Sequence, residues 1–431
     1  MIGSGPSPLP IGGPRRSLLA DCMAELAACG FADARRAILT LLSDISAGAA
    51  SGSRKRAAAA RRRPGLSLVP ELTGPLSELD VAIRKARGSP SALGSVAEAA
   101  FLAAEGMAEQ GAQVTGRCFL DAAISLQPEE PRYVHAVAVN ERRHGRHAEA
   151  ARCFTHAAWL GHRARRPRDV AAALLGLAAT VQEQEHHAHA ARLLGVAARY
   201  ARLRSAPDAE ADALLALGEL RHTLGYVDEA RGYFTDAVYA YAGNRAGIVR
   251  AGLVITRCWL QEREFVGCAK LAQTILPHLS DSITRMTVAA RLARASAAID
   301  CECWFEEAWG ATFRFMGQSA GRATAEALLD LARAAGTYGM WTRAFVAAEG
   351  ALERARSVGD PVLLGQAARI MAVASLPVIP HDAAREVFPD LPEELDEPGA
   401  GCSDELVLKP HTEPLFTAFA ASLQARDSAR G

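Results

Sequence analysis

The feature that most limits how this chain can fold is a pattern that returns along it: a small residue, a bulky one four positions on, and a second small residue three positions later. Ala230, Phe234 and Ala237 show it most clearly, and Ala150, Phe154 and Ala157 repeat it. So do Ala190, Leu194 and Ala197 and an early copy at Gly116, Leu120 and Ala123, while the late triplet Ala344, Ala348 and Ala351 keeps the spacing with a small residue in the middle. Offsets of three and four place side chains on one face of an α-helix. A small residue at the same place in copy after copy allows a second helix backbone to approach closely. Recurrence in register is the mark of a repeated supersecondary unit.

Each copy has a partner helix before it. Leu214, Leu217 and Gly218 precede Gly225; Val134, Val137 and Ala138 precede Gly145; Leu174, Leu177 and Ala178 precede the third copy; Leu328, Leu331 and Ala332 precede Gly339. Gly225 suits the left-handed residue that ends a helix, and Asp228 suits the positive end of the next one. Two copies fit less well. Cys268, Ala272 and Ile275 follow Ile255 and Trp259, while Ala308, Thr312 and Phe315 follow Leu292, Ala295 and Ser296. One such unit cannot bury its apolar face alone, so neighbours must stack. About seven units fall between residues 95 and 358.

These offsets resemble the tetratricopeptide repeat. The step from Gly116 to Ala150 is 34 residues, that family's own period, and Pro128 falls where the family often ends its second helix. From Ala150 onwards the step is mostly near 40. That is similar to the longer-helix variant found in regulatory arms of large bacterial transcription activators and in some scaffold proteins. The resemblance implies an all-α fold, a right-handed superhelical solenoid of antiparallel helix pairs. It also implies a concave groove lined by first helices, and a protein-binding role.

Composition agrees. Half of the residues are hydrophobic but only 6% are aromatic, and much of the apolar share is alanine, the best helix former. β-branched residues and tyrosine are sparse, leaving little material for strands. The 48 basic and 48 acidic residues balance, so no net field draws the chain to nucleic acid or an acidic membrane. Nine cysteines at irregular spacing do not form a disulfide framework. No run of 18 apolar residues exists, so no membrane span is expected. A reducing cytoplasm is the expected location.

The repeat array is expected over residues 75–376. Residues 1–46 read as a flexible lead and a helical hairpin, with Leu18, Leu19, Cys22, Met23 and Leu26 on one stripe and Ile38, Leu41, Leu42 and Ile45 on the other. Residues 47–74 form a basic linker containing SRKRAAAARRRP. It reads as a solvated connector, with nucleic acid as its alternative partner; no aromatic residue is interleaved there to stack on bases. Residues 377–431 form a proline-rich acidic tail, in which Leu415, Phe416, Phe419 and Leu423 could make one short amphipathic helix.

In such repeats the exposed positions of the first helix face the groove. They are Arg132, His135, Arg142 and Arg143 in the second unit, and Asp212, Glu219 and His222 in the fourth. Arg250 and Arg257 follow in the fifth and Arg333 in the seventh. Several arginines in one groove suit the carboxylates of an acidic peptide, and the acidic tail itself could occupy it. The alternative is an ordinary charged solvent face. His186, His187 and His189 read as turn residues, since a metal needs three or four converging ligands. No phosphate-binding glycine loop, serine elbow or zinc-protease pair is present, so no catalytic, cofactor or metal residue is assigned and no enzyme is expected. The leading reading is a scaffold or adaptor binding a partner peptide or helix. A regulatory or sensor module linked to bacterial transcription or signalling stands second, and an enzyme accessory subunit third. Partner identity and oligomeric state are not written in the sequence.

Overall fold

The computed structural model describes residues 70–86, 93–109, 112–316, 321–376, 378–391 and 407–424, with residues 21–22, 24–26, 38 and 41–42 near the N-terminus. The basic stretch 47–66 and the acidic run at 393–397 lie outside the described residues. The chain is an all-helical array of tandem antiparallel pairs, divided into two compact units, Met1–Ala209 and Glu210–Gly431.

The first unit contains α1 (Pro70–Ala86), α2 (Leu93–Glu109), α3 (Gln113–Leu126), α4 (Pro131–Arg143), α5 (His147–Arg163), α6 (Pro167–Glu183) and α7 (His187–Leu203), and α8 (Pro207–Thr223) begins in it. From α1 to α7 each helix packs on its successor, and the first helices α4 and α6 also touch. A strict cadence sets this packing. Helices of 17 residues alternate with three-residue turns, so left-handed residues recur every 20 positions, at 145, 165, 185, 205 and 225. At each turn an amide reaches back to the carbonyl five residues before it. Arg146 bonds Glu141 at 3.0 Å, Arg166 bonds Gly161 at 2.9 Å, His186 bonds Val181 at 3.1 Å and Ala206 bonds Ala201 at 3.0 Å. This closure satisfies carbonyls that the helix end leaves open. Proline then opens α4, α6 and α8, where its fixed φ and missing N–H cost nothing.

Only some of these turns use glycine. Gly145, Gly225 and Gly339 do, whereas Arg165, Glu185, Ser205, Arg263 and Asp300 hold φ between 52° and 64° with a side chain attached. The spacing of the helices, not the residue, imposes the turn.

The repeated frame is the core. Ala150, Phe154 and Ala157 are fully buried, as are Ala190 and Ala197, with Leu194 nearly so. The bulky residue of one pair reaches the first helix of the next, where a glycine receives it: a Cβ on Gly176 would lie 2.1 Å from the Phe154 ring. At the N-terminal side, Glu25 caps α3. Its carboxylate accepts from the amides of Val114 and Thr115 at 2.7 Å each and from the Thr115 hydroxyl at 2.9 Å. Cys22, Leu26, Ile38, Leu41 and Leu42 join the same core.

The second unit continues with α9 (Val227–Ala240), α10 (Arg245–Gln261), α11 (Phe265–Ile275), α12 (Ser282–Ala298), α13 (Glu302–Met316), α14 (Arg322–Thr337), α15 (Trp341–Val358), α16 (Pro361–Ala374), α17 (His381–Val387) and α18 (Glu413–Gln424). The first helices α10, α12, α14 and α16 touch in succession. Among the two weaker copies, Cys268, Ala272 and Ile275 are fully buried. They fit the frame poorly because α11 is short and passes into a 3-10 turn at Leu276–His278 that contains Pro277. Ala308 and Thr312 are buried, while Phe315 is half-buried under the guanidinium of Arg285, 4.7 Å from the ring centre. Asp228 is in the first turn of α9 and makes no cap bond; the N-cap position is Tyr226. Among the described residues, no helix is long and apolar enough to cross a membrane.

Candidate functional site

Equivalent surface positions on neighbouring first helices are one repeat apart in sequence. Packed helices have axes about 8–10 Å apart, which an arginine and a carboxylate can bridge. The first helices use this throughout. In the first unit Arg132 donates to Glu98 at 2.9 and 3.2 Å, 34 residues away, and to Glu130 at 3.0 Å. Arg142 donates to Glu183 at 2.8 Å, 41 residues away. Arg168 donates to Asp208 at 2.8 Å, 40 residues away.

The second unit repeats the device. Arg250 donates to Asp212 at 2.5 Å, and Arg257 pairs with Glu219; both separations are 38 residues. Asp212 also accepts from the Tyr241 hydroxyl. Arg294 reaches Asp330 at 3.1 Å and Arg322 reaches Asp360 at 3.1 Å. Arg333 donates to Gln366 at 3.1 Å and lies 3.5 Å from Asp330. His222 turns instead to Glu262, 3.0 Å away, a carboxylate that Arg231 also holds at 2.6 Å. Most of the charged positions assigned to the groove are therefore engaged within the chain.

Three of them converge elsewhere. Arg132, His135 and Arg143 line a cavity of about 450 Å³ in the first unit, between α2, α3, α4 and α6. Phe101, Leu120 and Val139 supply apolar wall, and Glu105, Asn140 and Asp169 supply polar groups. The cavity lies on α4 because that helix shows its His135, Val139 and Arg143 face to the α2 and α6 side. Burial pushes the His135 imidazole below its usual range, against the pull of the Ala172 backbone and the Asp169 carboxylate. Its ring meets the edge of Phe154 with centroids 5.3 Å apart. Burial likewise pushes Asp169 up, opposed by Arg166. Burial would also raise Glu130, but hydrogen bonds from Arg132 and Arg166 outweigh it and hold that carboxyl low. Arg143 is exposed and makes no ion pair among the described residues. Arg142, one residue earlier, points away to Glu183.

Glu98, Glu105, Phe101 and Asp169 were not among the residues assigned from sequence. The repeat period offered one clue, since Glu98 precedes Arg132 by 34 residues, the step from Gly116 to Ala150. Of the histidine cluster, His187 and His189 lie in the first turn of α7 and His186 in the turn before it. Among the described residues no three His, Cys, Asp or Glu side chains are grouped to hold a metal ion.

No family model matches the chain, and no curated protein matches it. Two solved structures show low similarity. The crystal structure of BtubC (BKLC) from P. vanneervenii is 13% identical, with 59% of this chain and 90% of that chain covered and a TM-score of 0.36. A circular tandem repeat protein with novel repeat topology and enhanced subunit contact surfaces is 12% identical, with 83% and 98% covered and a TM-score of 0.15. At these scores neither carries an argument about this chain.

Proposed function

We propose that this chain is a tetratricopeptide-like interaction module of the cytoplasm, binding rather than catalysing, and that the cavity between α2, α3, α4 and α6 takes a segment of a partner protein. The observation that supports it is the contrast between this cavity and the rest of the first-helix surface. Arg132 at its rim closes on Glu98 as the other rungs do, but beside it an apolar wall adjoins the exposed guanidinium of Arg143, which makes no ion pair among the described residues. About 450 Å³ is within the usual range of binding pockets and holds one or two side chains, not a folded domain. An apolar anchor against Phe101, Leu120 and Val139, with a carboxylate on Arg143, is the matching chemistry.

The test is affinity capture from native extract at low and moderate salt, with mass spectrometry of what is retained. One protein should be enriched on the wild type, lost with Arg143→Glu, and kept with Arg192→Glu, an exposed arginine on α7 outside the cavity. Equal retention by both variants, or retention of nucleic acid alone, refutes the cavity as the binding site.

A further inference from the structure

The second unit holds one helix that its repeats do not supply. The helices α9 to α17 follow one another along the chain, but α18 returns from far downstream to lie against α9, α10 and α11. Lys409, just before it, donates to Glu264 at 3.0 Å across 145 residues, and His411 Nε2 lies 3.0 Å from the same carboxylate. The place it fills is a gap in the cadence. The helix α9 stops at Ala240, and the link to α10 runs through Gly243 at φ 84°.

The fit is specific. Leu415, Phe419 and Leu423, spaced four residues apart, are buried together with Ala418, while Thr417 and Ala421 face outward. Gly252 on α10 makes the room: a Cβ there would lie 2.9 Å from both Phe419 Cζ and Ile275 Cγ2. Glu264, itself only 7% exposed, closes one end of the trough with negative charge. The unit thus presents an apolar trough for three side chains, a glycine floor and a carboxylate that takes a basic group ahead of the helix.

We propose that this trough is a helix-binding site and that α18 is its resident occupant, displaceable by a partner helix of the same pattern. The partner's chemistry is read from the helix seated there: apolar residues at i, i+4 and i+8, preceded by lysine or histidine four to six residues upstream. That is helix-in-groove recognition. The helix α18 has 12 residues, too short to persist alone in water, so its order depends on the trough. Being tethered, it competes at high effective concentration, which sets how tightly a partner must bind. The site is in a different unit from the cavity above, and the two readings stand or fall separately.

The test uses the full chain and a fluorescent peptide of residues 407–424 as probe, read by anisotropy. Phe419→Ser weakens the resident helix, so the probe should bind that variant about tenfold or more tighter than the wild type. Adding Glu264→Gln should reverse part of the gain, and a scrambled peptide should not bind. Hydrogen exchange on the wild type should show α18 amides opening faster than those of α10 and α11. Equal protection of the three helices would overturn the proposal, because α18 would then be permanent core. So would absent probe binding by a Phe419→Ser chain of wild-type helix content. A concentration-dependent wild-type dimer, lost with Phe419→Ser, would overturn it in favour of exchange between two copies.

Discussion

Alanine in place of a mid-helix glycine ordinarily stabilises a helix by about 1 kcal/mol. At Gly176 the sign should reverse. A Cβ there would lie 2.1, 2.4 and 2.7 Å from three atoms of the Phe154 ring, well inside van der Waals contact. Phe154 has no exposed surface, and His135 stands edge-on to it at 5.3 Å, so the ring has no open side to move into. Overpacking of this kind costs about 1–3 kcal/mol, and three overlapping ring atoms place it near the top of that range. After the gain in helix propensity, Gly176→Ala should lose about 1–2 kcal/mol. Gly195, one helix later, provides the control. No atom lies within 4 Å of its added Cβ, so Gly195→Ala should gain about 1 kcal/mol. The assay is urea unfolding followed by far-ultraviolet circular dichroism, with hydrogen exchange in α6, since neighbouring repeats share stability. If Gly176→Ala were as stable as the wild type, or if the two variants moved in the same direction, the packing of Phe154 on Gly176 would be refuted.

Other outcomes follow from the same structure. Glu185→Gly removes a side chain from a left-handed residue and should gain up to about 1 kcal/mol, the relief of about 1–2 less the entropy glycine loses; thermal melting checks it. Burial would raise the carboxyl of Glu264, but hydrogen bonds from Lys409 and His411 hold it below its usual value. Its stabilisation of α18 is therefore complete above the ordinary glutamate pKa and lost as pH falls through the lower, folded one. Limited proteolysis should show α18 released more readily below about pH 4 than at neutral pH, and Glu264→Gln should flatten that dependence. Arg250→Ala breaks an ion pair whose arginine is 56% exposed; it should cost under about 1 kcal/mol, and a double-mutant cycle with Asp212→Ala measures the coupling.

The frame was legible because close helix approach leaves little freedom. Ala150, Ala157, Ala190 and Ala197 have no exposed surface, so no larger residue fits and the pattern survives in every good copy. Local residues marked the turns at Gly145, Gly225 and Gly339, and the frame alone put His186 in the turn of the third unit. Those at Arg165, Glu185, Ser205, Arg263 and Asp300 have the same left-handed geometry, but their residues announce nothing, because the flanking helices enforce it. At the candidate site, the exposed face of α4 pointed to Arg132, His135 and Arg143. Which cations were already engaged did not show, since Glu98, Glu183 and Asp212 meet their arginines across a whole repeat. The seat of α18 was likewise hidden: its stripe was visible, but the trough arises from Gly252 and the link after α9, which no local pattern marks.

Repeats built on one frame face a hazard that single-core proteins do not: any first helix is nearly the right shape to sit beside any other. The arginine–carboxylate rungs give each junction its own address. Between α4 and α6 the arginine is on the earlier helix, Arg142 to Glu183, whereas between α8 and α10 it is on the later one, Asp212 to Arg250 and Glu219 to Arg257. A chain that skipped two pairs and laid α10 against α4 would set Arg250 facing Arg132, the equivalent position of the frame, and would leave Arg142 opposite Gln261 in place of Glu183. Rungs worth little as stabilisers can still reject the wrong neighbour, and so keep the order of the repeats in space the same as their order along the chain.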